Sequence, residues 1–508
     1  MADLPERFSP IDLPESATIR ANNDAKKLNE ELNKDGQNVV SLTLGETPFP
    51  PDLYVLEEYQ KKLAANIKIF SLEKEKKENG KTLSPEEQKS FDAAVKFYKY
   101  SPVAGKPETR EAIANYTKEY GLSNIDASNT IVTNGAKSAI SHLIESVIGQ
   151  KEELQSDGNY KITKNEAMIF SPAWVSYFDL VKEAKGKINE VPPETPLTAE
   201  NLKKQLSKRL NTKLLMINPV ANPTGSVISN DEMEKIFAVV NEEREKRKVR
   251  IANGEKNVPD LIVMSDDIYK DLRFDGSKHH YGEQANKLFN EGGLVVIDGV
   301  AKSMNMTGSR IGWAVGAKDL IDRMTTIQTN RSSNVASETQ LAATLAIKSP
   351  NREKLQAEQL EIFKQRRDII TEELGKIDGI AIDDKYIPQG AFYVYADVKG
   401  LIGRKVPEKL KSPYGDNADL GDLAGKTLQT TDDVAKFLLK AAYVGSTSGN
   451  GFRGDGIDDG HLRFSYAAED KDLKEAGKRI AGAIKQLEVS PEIPVGTKVA
   501  VKGNVREL

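Results

Sequence analysis

The sequence predicts an α/β protein built on a mainly parallel sheet. Three observations lead there. Short apolar runs with β-branched residues recur at 130–133, 167–170, 213–217, 261–264 and 294–297. Helix-length spacers separate them, which is the pattern of parallel strands joined by crossover helices. Each run also stops at a conspicuous polar, aromatic or glycine-bearing group. In such a sheet these groups fall on the carboxyl edge, where open α/β folds bind ligands.

Composition narrows the class. The chain has 508 residues, enough for two or three domains with full cores. Hydrophobic residues make up 38% and charged residues 29%, as expected of a globular protein rather than a disordered one. Lys and Arg number 72 against 76 Asp and Glu, a net charge of −4, which argues against nucleic acid as the main partner. Cysteine is absent, excluding disulfides, thiolate catalysis and Cys-ligated metals. Residues 1–7 lack a basic-then-apolar leader and no run of 18 apolar residues occurs, so a cytoplasmic location is expected.

The elements follow in order. The first forty residues are polar with a helical patch and read as an arm. Residues 39–44 alternate as a strand and end at Gly45 and a proline-rich turn. Gly45 is either a simple turn residue or a point of close backbone approach to a ligand. Residues 71–90 are Glu, Lys and Gln, a solvated helix or loop inserted in the fold. The strand 130–133 meets Asn134, Gly135, Ala136 and Lys137, after which Ala139, Ile140, Leu143, Ile144 and Val147 recur at helical spacing. A helix opening just beyond a strand presents free N–H groups and its positive end to an anion; an ordinary turn is the alternative.

Three further strand ends carry Ser171-Pro172-Ala173-Trp174, then Asn218 to Gly225 with Asn222 inside it, then Ser265-Asp266-Asp267-Ile268-Tyr269. Residues 241–258 alternate in charge sign and read as the end of an exposed helix plus an inserted loop. The strand 294–297 then leads to Lys302, with Arg310 eight residues on and another strand at 311–315. A lysine in a low-dielectric cleft has a depressed pKa and can condense with an aldehyde. An arginine nearby can hold a phosphate bidentately. Pyridoxal phosphate carries both groups.

Beyond residue 330, long helices are expected at 336–347 and 355–374 and an alternating strand at 390–396. Residues 400–430 read as loop, and 445–460, rich in Gly and Asp, as a mobile segment. A strand at 461–467 contains Arg463 and precedes a final helix at 469–488. Gly449 to Gly454 match a dinucleotide motif by letter, but no strand and helix flank them, and Asp455, Asp458 and Asp459 would repel a pyrophosphate. Those aspartates match no EF-hand spacing. The four histidines show no zinc-protease spacing, and His279-His280 reads as surface.

Taken in chain order, these motifs resemble the class I aminotransferases, pyridoxal phosphate enzymes of fold type I, and among them most the aspartate aminotransferases. The likeness runs from about residue 40 to about 487. It rests on Asn222-Pro223-Thr224-Gly225, Ser265 to Tyr269, Ala301-Lys302 with Met306 to Arg310, Arg463-Phe464-Ser465-Tyr466, and Ser171 to Tyr177. The resemblance implies a large domain with a mostly parallel seven-stranded sheet and a smaller α+β domain. Residues 52–340 would form the first, 1–51 with 341–508 the second.

It further implies that Lys302 carries pyridoxal 5'-phosphate covalently, and that Asp266 pairs with the pyridine nitrogen. Asn222 and Tyr269 would hydrogen-bond the phenolic oxygen, and Trp174 would stack on the ring. The backbone of Gly135, Ala136 and Lys137, with Arg310, would hold the phosphate, and Tyr100 would reach a phosphate across a homodimer interface. Arg463 would clamp the substrate α-carboxylate, Gly45 would let the small domain close, and Lys137 would receive a distal carboxylate. Gly299 and Ala301 stand where many relatives carry serines, and Ser309 where a bulky residue is common. The expected reaction is amino transfer between an L-amino acid, aspartate or another acidic one, and a 2-oxo acid. The same residues would serve a decarboxylase or lyase acting on aspartate. A cofactor-binding regulator without turnover would need a DNA-binding module, and the acidic arm offers no basic recognition helix.

Overall fold

The computed structural model describes residues 15–154 and 160–488. At its centre lies a seven-stranded sheet: β1 (Thr130–Thr133), β2 (Glu166–Phe170), β3 (Lys187–Val191), β4 (Thr212–Ile217), β5 (Ile262–Asp266), β6 (Leu294–Gly299) and β7 (Gly312–Val315). Their order is β1-β7-β6-β5-β4-β2-β3. β7 runs antiparallel to β1 and β6, and the remaining pairs are parallel. The carboxyl ends of six strands and the amino end of β7 therefore share one edge.

The middles of the inner strands are apolar because both faces of the sheet are covered. Leu215, Ile217, Val263, Leu294 and Val296 enter one core, packed by the helices Pro107–Lys118, Ala199–Lys208, Asn230–Ala252 and Glu283–Asn290. Their neighbours Leu214, Met216, Ile262, Met264, Val295 and Ile297 enter the opposite core, under the helices Ala136–Val147, Val175–Glu183 and Lys318–Arg331. The period of two along a strand sends alternate residues to alternate faces. The sequence reading lacked β3, whose alternation is interrupted by Asn189 and Glu190.

A third core lies C-terminal. There the helices Arg352–Gly375, Thr431–Ala442 and Asp470–Ile484 pack on a three-stranded antiparallel sheet of Tyr393–Asp397, His461–Ser465 and Thr447–Ser448. The helix Ser337–Lys348 crosses residue 340 and sends Ala343, Ala346 and Ile347 into a core of the seven-stranded sheet. Among the described residues no helix is long and apolar enough to cross a membrane.

Several local expectations change. The strand expected at 39–44 is only Val40–Ser41, paired in parallel with Val444–Gly445. The charged stretch 71–90 is the end of the helix Leu53–Glu78 and the start of Pro85–Phe97, the second opened by a capping box between Ser84 and Glu87. The 241–258 stretch is not simply exposed. Arg247 donates to the Thr212 carbonyl at 2.6 Å, and Arg244 to the Leu261 carbonyl at 2.7 Å, so the two cations close the amino ends of β4 and β5. Nor does 445–460 hang free. Asp458 accepts from the Thr431 N–H at 2.7 Å, and the Phe452 carbonyl accepts from Ala173 N–H at 3.0 Å. His279 is buried, 1% exposed, with Nε2 3.4 Å from Asp267.

Candidate active site

A cleft of about 220 Å³ opens at the shared strand edge, between the seven-stranded sheet and the C-terminal core. It gathers Gly45, Gly135, Ala136, Lys137, Trp174, Asn222, Asp266, Tyr269, Lys302, Arg310 and Arg463, residues spread over more than four hundred positions. Tyr100 does not reach it and is 91% exposed.

Lys302 follows β6 and is half-buried, its Nζ donating to the Gly45 carbonyl. Burial lowers its pKa to about 8; Glu46 and Asp266 oppose the fall, while Arg463 and Arg310 reinforce it. Roughly a fifth of such amines are neutral at pH 7.4, against about one in a thousand for an ordinary lysine.

Asp266 ends β5 and is 5% exposed. Its carboxylate accepts from the Tyr177 hydroxyl at 2.6 Å, and its carbonyl from Asn218 Nδ2 at 2.6 Å. Desolvation pushes its pKa up to about 6, with Tyr177 pulling the other way. A cationic group set against it would restore the charged form. Tyr177 stands three residues after Trp174 on the same helix, and their rings meet edge to face at 5.4 Å. One short helix thus positions both residues.

Two anion-binding features flank these groups. The helix Ala136–Val147 begins at Gly135 with no side-chain cap, so its N-terminus faces the cleft. Gly135 sits at φ 83°, and a Cβ there would come within 2.8 Å of Arg310 Nη2. That space is a cradle between guanidinium and helix start which a side chain would fill. Arg463 is the second feature. It is 1% exposed and donates to the Asn222 side-chain oxygen at 2.9 Å and the Thr43 carbonyl at 2.6 Å. Its Nε has no partner, and no carboxylate pairs with it among the described residues. A buried cation with neutral partners only is an anion site in waiting. Lys137 is exposed overall, but its ammonium lies 5.1 Å over the Trp174 ring, and desolvation lowers its pKa.

An amine held near neutrality, a buried acid and two anion sites in one cleft suit chemistry on a carbonyl compound bearing a phosphate, with a carboxylate substrate. The chain matches the family described as aminotransferase class I and II over residues 70–245 and 250–480. It belongs to that family. The aminotransferase is 29% identical over 477 residues to an aspartate aminotransferase of Streptomyces avermitilis, spanning 92% of this chain and 93% of the relative. It is 30% identical over 406 residues to a probable aspartate/prephenate aminotransferase of Rickettsia bellii, spanning 78% and 88%. The structure of a Thermus thermophilus aspartate aminotransferase with maleate superposes with a TM-score of 0.67 at 25% identity, covering 95% of this chain and 100% of that one. That likeness bears out the fold type and the activity class read from the sequence.

The aminotransferase also brings residues to the cleft that sequence reasoning left without a role. Tyr177 was legible as the helical neighbour of Trp174 at i+3. Thr18 comes from the helix Ala17–Leu32, Asn218 from the end of β4, and Tyr393 from the C-terminal sheet. Tyr393 matters most among them: its hydroxyl lies 2.8 Å from that of Tyr269, and a Cβ on Gly45 would come within 1.9 Å of it. This close approach is why residue 45 is glycine. No local pattern pairs positions 124 apart in sequence.

Proposed function

We propose that this aminotransferase uses pyridoxal 5'-phosphate and takes the amino group of aspartate, or another acidic L-amino acid, to a 2-oxo acid. The observation that carries this reading is the convergence in one cleft of Lys302, Asp266 and the unpaired Arg463. The residues fit the cofactor: the cradle between Gly135 and Arg310 suits a phosphate, and buried Asp266 gains its charge back beside a ring N–H. Bound there, the cofactor supplies an aldehyde that takes the amino group and a ring that draws off electrons released at the substrate Cα.

Lys302 Nζ would hold the cofactor at its aldehyde carbon and would be the base that moves the proton at substrate Cα. Asp266 would keep the ring nitrogen protonated. Asn222 and Tyr269 would donate to the phenolic oxygen, and Trp174 would stack on the ring. The N–H groups of Gly135, Ala136 and Lys137, with Arg310, hold the phosphate. Arg463 takes the substrate α-carboxylate bidentately. Lys137, leaning over Trp174, takes the distal carboxylate; maleate, found with the Thermus enzyme, is likewise a dicarboxylate.

The reading includes a homodimer in which the outlying Tyr100 serves the other subunit's phosphate. It also includes two bodies. Residues 52–340, carried on through the helix Ser337–Lys348, form the larger one; residues 1–51 and the C-terminal segment form the smaller, with Gly45 at their join. The test is a panel of amino acids offered to the purified holo-protein with 2-oxoglutarate or oxaloacetate, products identified by mass. Aspartate and glutamate should transfer their amino groups fastest. Alanine formed from aspartate without transfer would favour the decarboxylase alternative, and no transfer from either acid would refute the substrate assignment.

A further inference from the structure

The cleft holds a tyrosine that the roles above do not use. Tyr393 opens the C-terminal strand Tyr393–Asp397 and is 1% exposed. Its hydroxyl has one hydrogen-bond partner among the described residues, the Tyr269 hydroxyl at 2.8 Å. The reverse also holds, so the two hydroxyls face only each other and the cleft. Each phenol has one proton to give. If Tyr269 donates to Tyr393, Tyr269 shows the cleft lone pairs alone and cannot serve a phenolic oxygen. If Tyr393 donates, the Tyr269 proton is free to point into the cleft.

The surroundings decide between these. The Arg463 guanidinium lies over the Tyr393 ring, 4.5 Å from its centroid. The Lys302 ammonium lies over the Tyr269 ring but farther off, 5.8 Å from its centroid, so the closer, permanently charged guanidinium makes Tyr393 the stronger acid of the pair, hence the better donor. Arg463 carries donors only, so it cannot take the Tyr393 proton. The nearby Gly45 carbonyl already accepts from Lys302.

We propose that Tyr393 is a positioning residue that donates its hydroxyl proton to Tyr269 and so turns the Tyr269 hydroxyl into a donor aimed at the cofactor's phenolic oxygen. This rests on the cofactor reading given above. It joins the arginine that receives the substrate carboxylate to the tyrosine that tunes the cofactor, through one ring. Hydrogen bonds in series polarise each other, so the Tyr269 donor is stronger for having Tyr393 behind it. A stronger donor on the phenolic oxygen stabilises the form in which the lysine-bound nitrogen has lost its proton.

The test is an absorbance pH titration of the holo-protein, comparing wild type with Tyr393→Phe, Tyr269→Phe and the double variant. Tyr393→Phe removes one oxygen and keeps the ring beneath Arg463. Glu46, Arg310, Asp266 and Arg463, the charged groups facing Lys302, are untouched in all four proteins. The titration midpoint should rise by about half a unit in Tyr393→Phe, and by more in Tyr269→Phe. The double variant should match Tyr269→Phe, because Tyr393 acts only through it. The amino acid KM should barely move in Tyr393→Phe while kcat falls. An unmoved midpoint in Tyr393→Phe beside a shifted one in Tyr269→Phe overturns the proposal, as do additive shifts in the double variant. A wild-type protein with no titrating lysine-bound chromophore overturns the cofactor reading, and this proposal with it.

Discussion

Lys302 gives the most direct physical test, because its burial has an energetic signature in the cofactor-free protein. Holding its pKa at about 8 rather than near 10.5 means the folded protein resists the charged form. The difference corresponds to roughly 3 kcal/mol. In this case the folded pKa is depressed, so between about pH 8 and pH 10.5 the unfolded chain binds more protons, and stability rises with pH through that window. Below about pH 8 the whole penalty applies. Lys302→Met, of similar length and uncharged, has no such penalty. The cofactor-free variant should therefore exceed wild type by about 2–3 kcal/mol in urea unfolding at pH 7, the lower figure allowing for the lost bond to Gly45. The gap should close by pH 10.5. A variant no more stable than wild type at pH 7, or a gap that does not narrow with pH, would show that Lys302 is not desolvated. The reasoning for its reactivity would then fail as well.

Four further outcomes are expected. Arg463→Ala should lower kcat/KM for every amino acid by about a hundredfold or more while the cofactor still binds, as loss of a buried charge partner demands; a cofactor-binding defect with unchanged substrate KM would reject the clamp. Asp266→Asn should keep its fold by circular dichroism yet lose nearly all turnover, and near-normal rates would mean another group protonates the ring. Lys137→Ala should lose about one to three decades of efficiency toward aspartate and far less toward an apolar amino acid; equal losses would assign Lys137 to the phosphate alone. Mixing unfolded Tyr100→Ala and Lys302→Ala chains and refolding them together should restore activity absent from either alone, and no recovery would refute a site shared across the dimer.

Much of the site was legible because chemistry in this fold sits where strands stop. Lys302, Asp266 and Asn222 each follow a short apolar, β-branched run that reads as a buried strand, and the helix after Gly135 announces itself by its spacing. Their neighbours were less legible for a physical reason. Tyr393 reaches the cleft, and Thr43 holds Arg463 there, through contacts spanning 124 and 420 positions, and no local periodicity encodes such pairings. Charge misled in the same way. Arg244 and Arg247 look like a solvated helical face, yet they are buried because unpaired strand-end carbonyls require donors. The Gly- and Asp-rich stretch 445–460 looked loose, yet Asp458 closes the Thr431–Ala442 helix and Phe452 supports the turn before Trp174. Composition predicts solvent preference; it does not reveal which backbone groups elsewhere lack partners.

The bond between Arg463 and Asn222 carries the argument one step further. Arginine can only donate, so the Asn222 atom facing it at 2.9 Å must be the carbonyl oxygen. That assignment leaves the Asn222 amide nitrogen as the group presented to the cleft, the orientation a phenolic oxygen requires. Two side chains from the sheet edge, Asn222 and Tyr269, are thus oriented by two from the C-terminal core, Arg463 and Tyr393. The two hydrogen-bonded pairs, Arg463–Asn222 and Tyr393–Tyr269, meet where the Arg463 guanidinium lies over the Tyr393 ring, so on the proposed reading the cofactor's donors and the substrate's clamp would be coupled. When a carboxylate draws the Arg463 donors toward itself, the Asn222 oxygen loses part of its partner, and its amide becomes the weaker donor. On the proposed cofactor reading, a bound carboxylate would then weaken the Asn222 donor toward the phenolic oxygen, and the absorbance midpoint of the holo-protein should rise when a substrate analogue occupies Arg463.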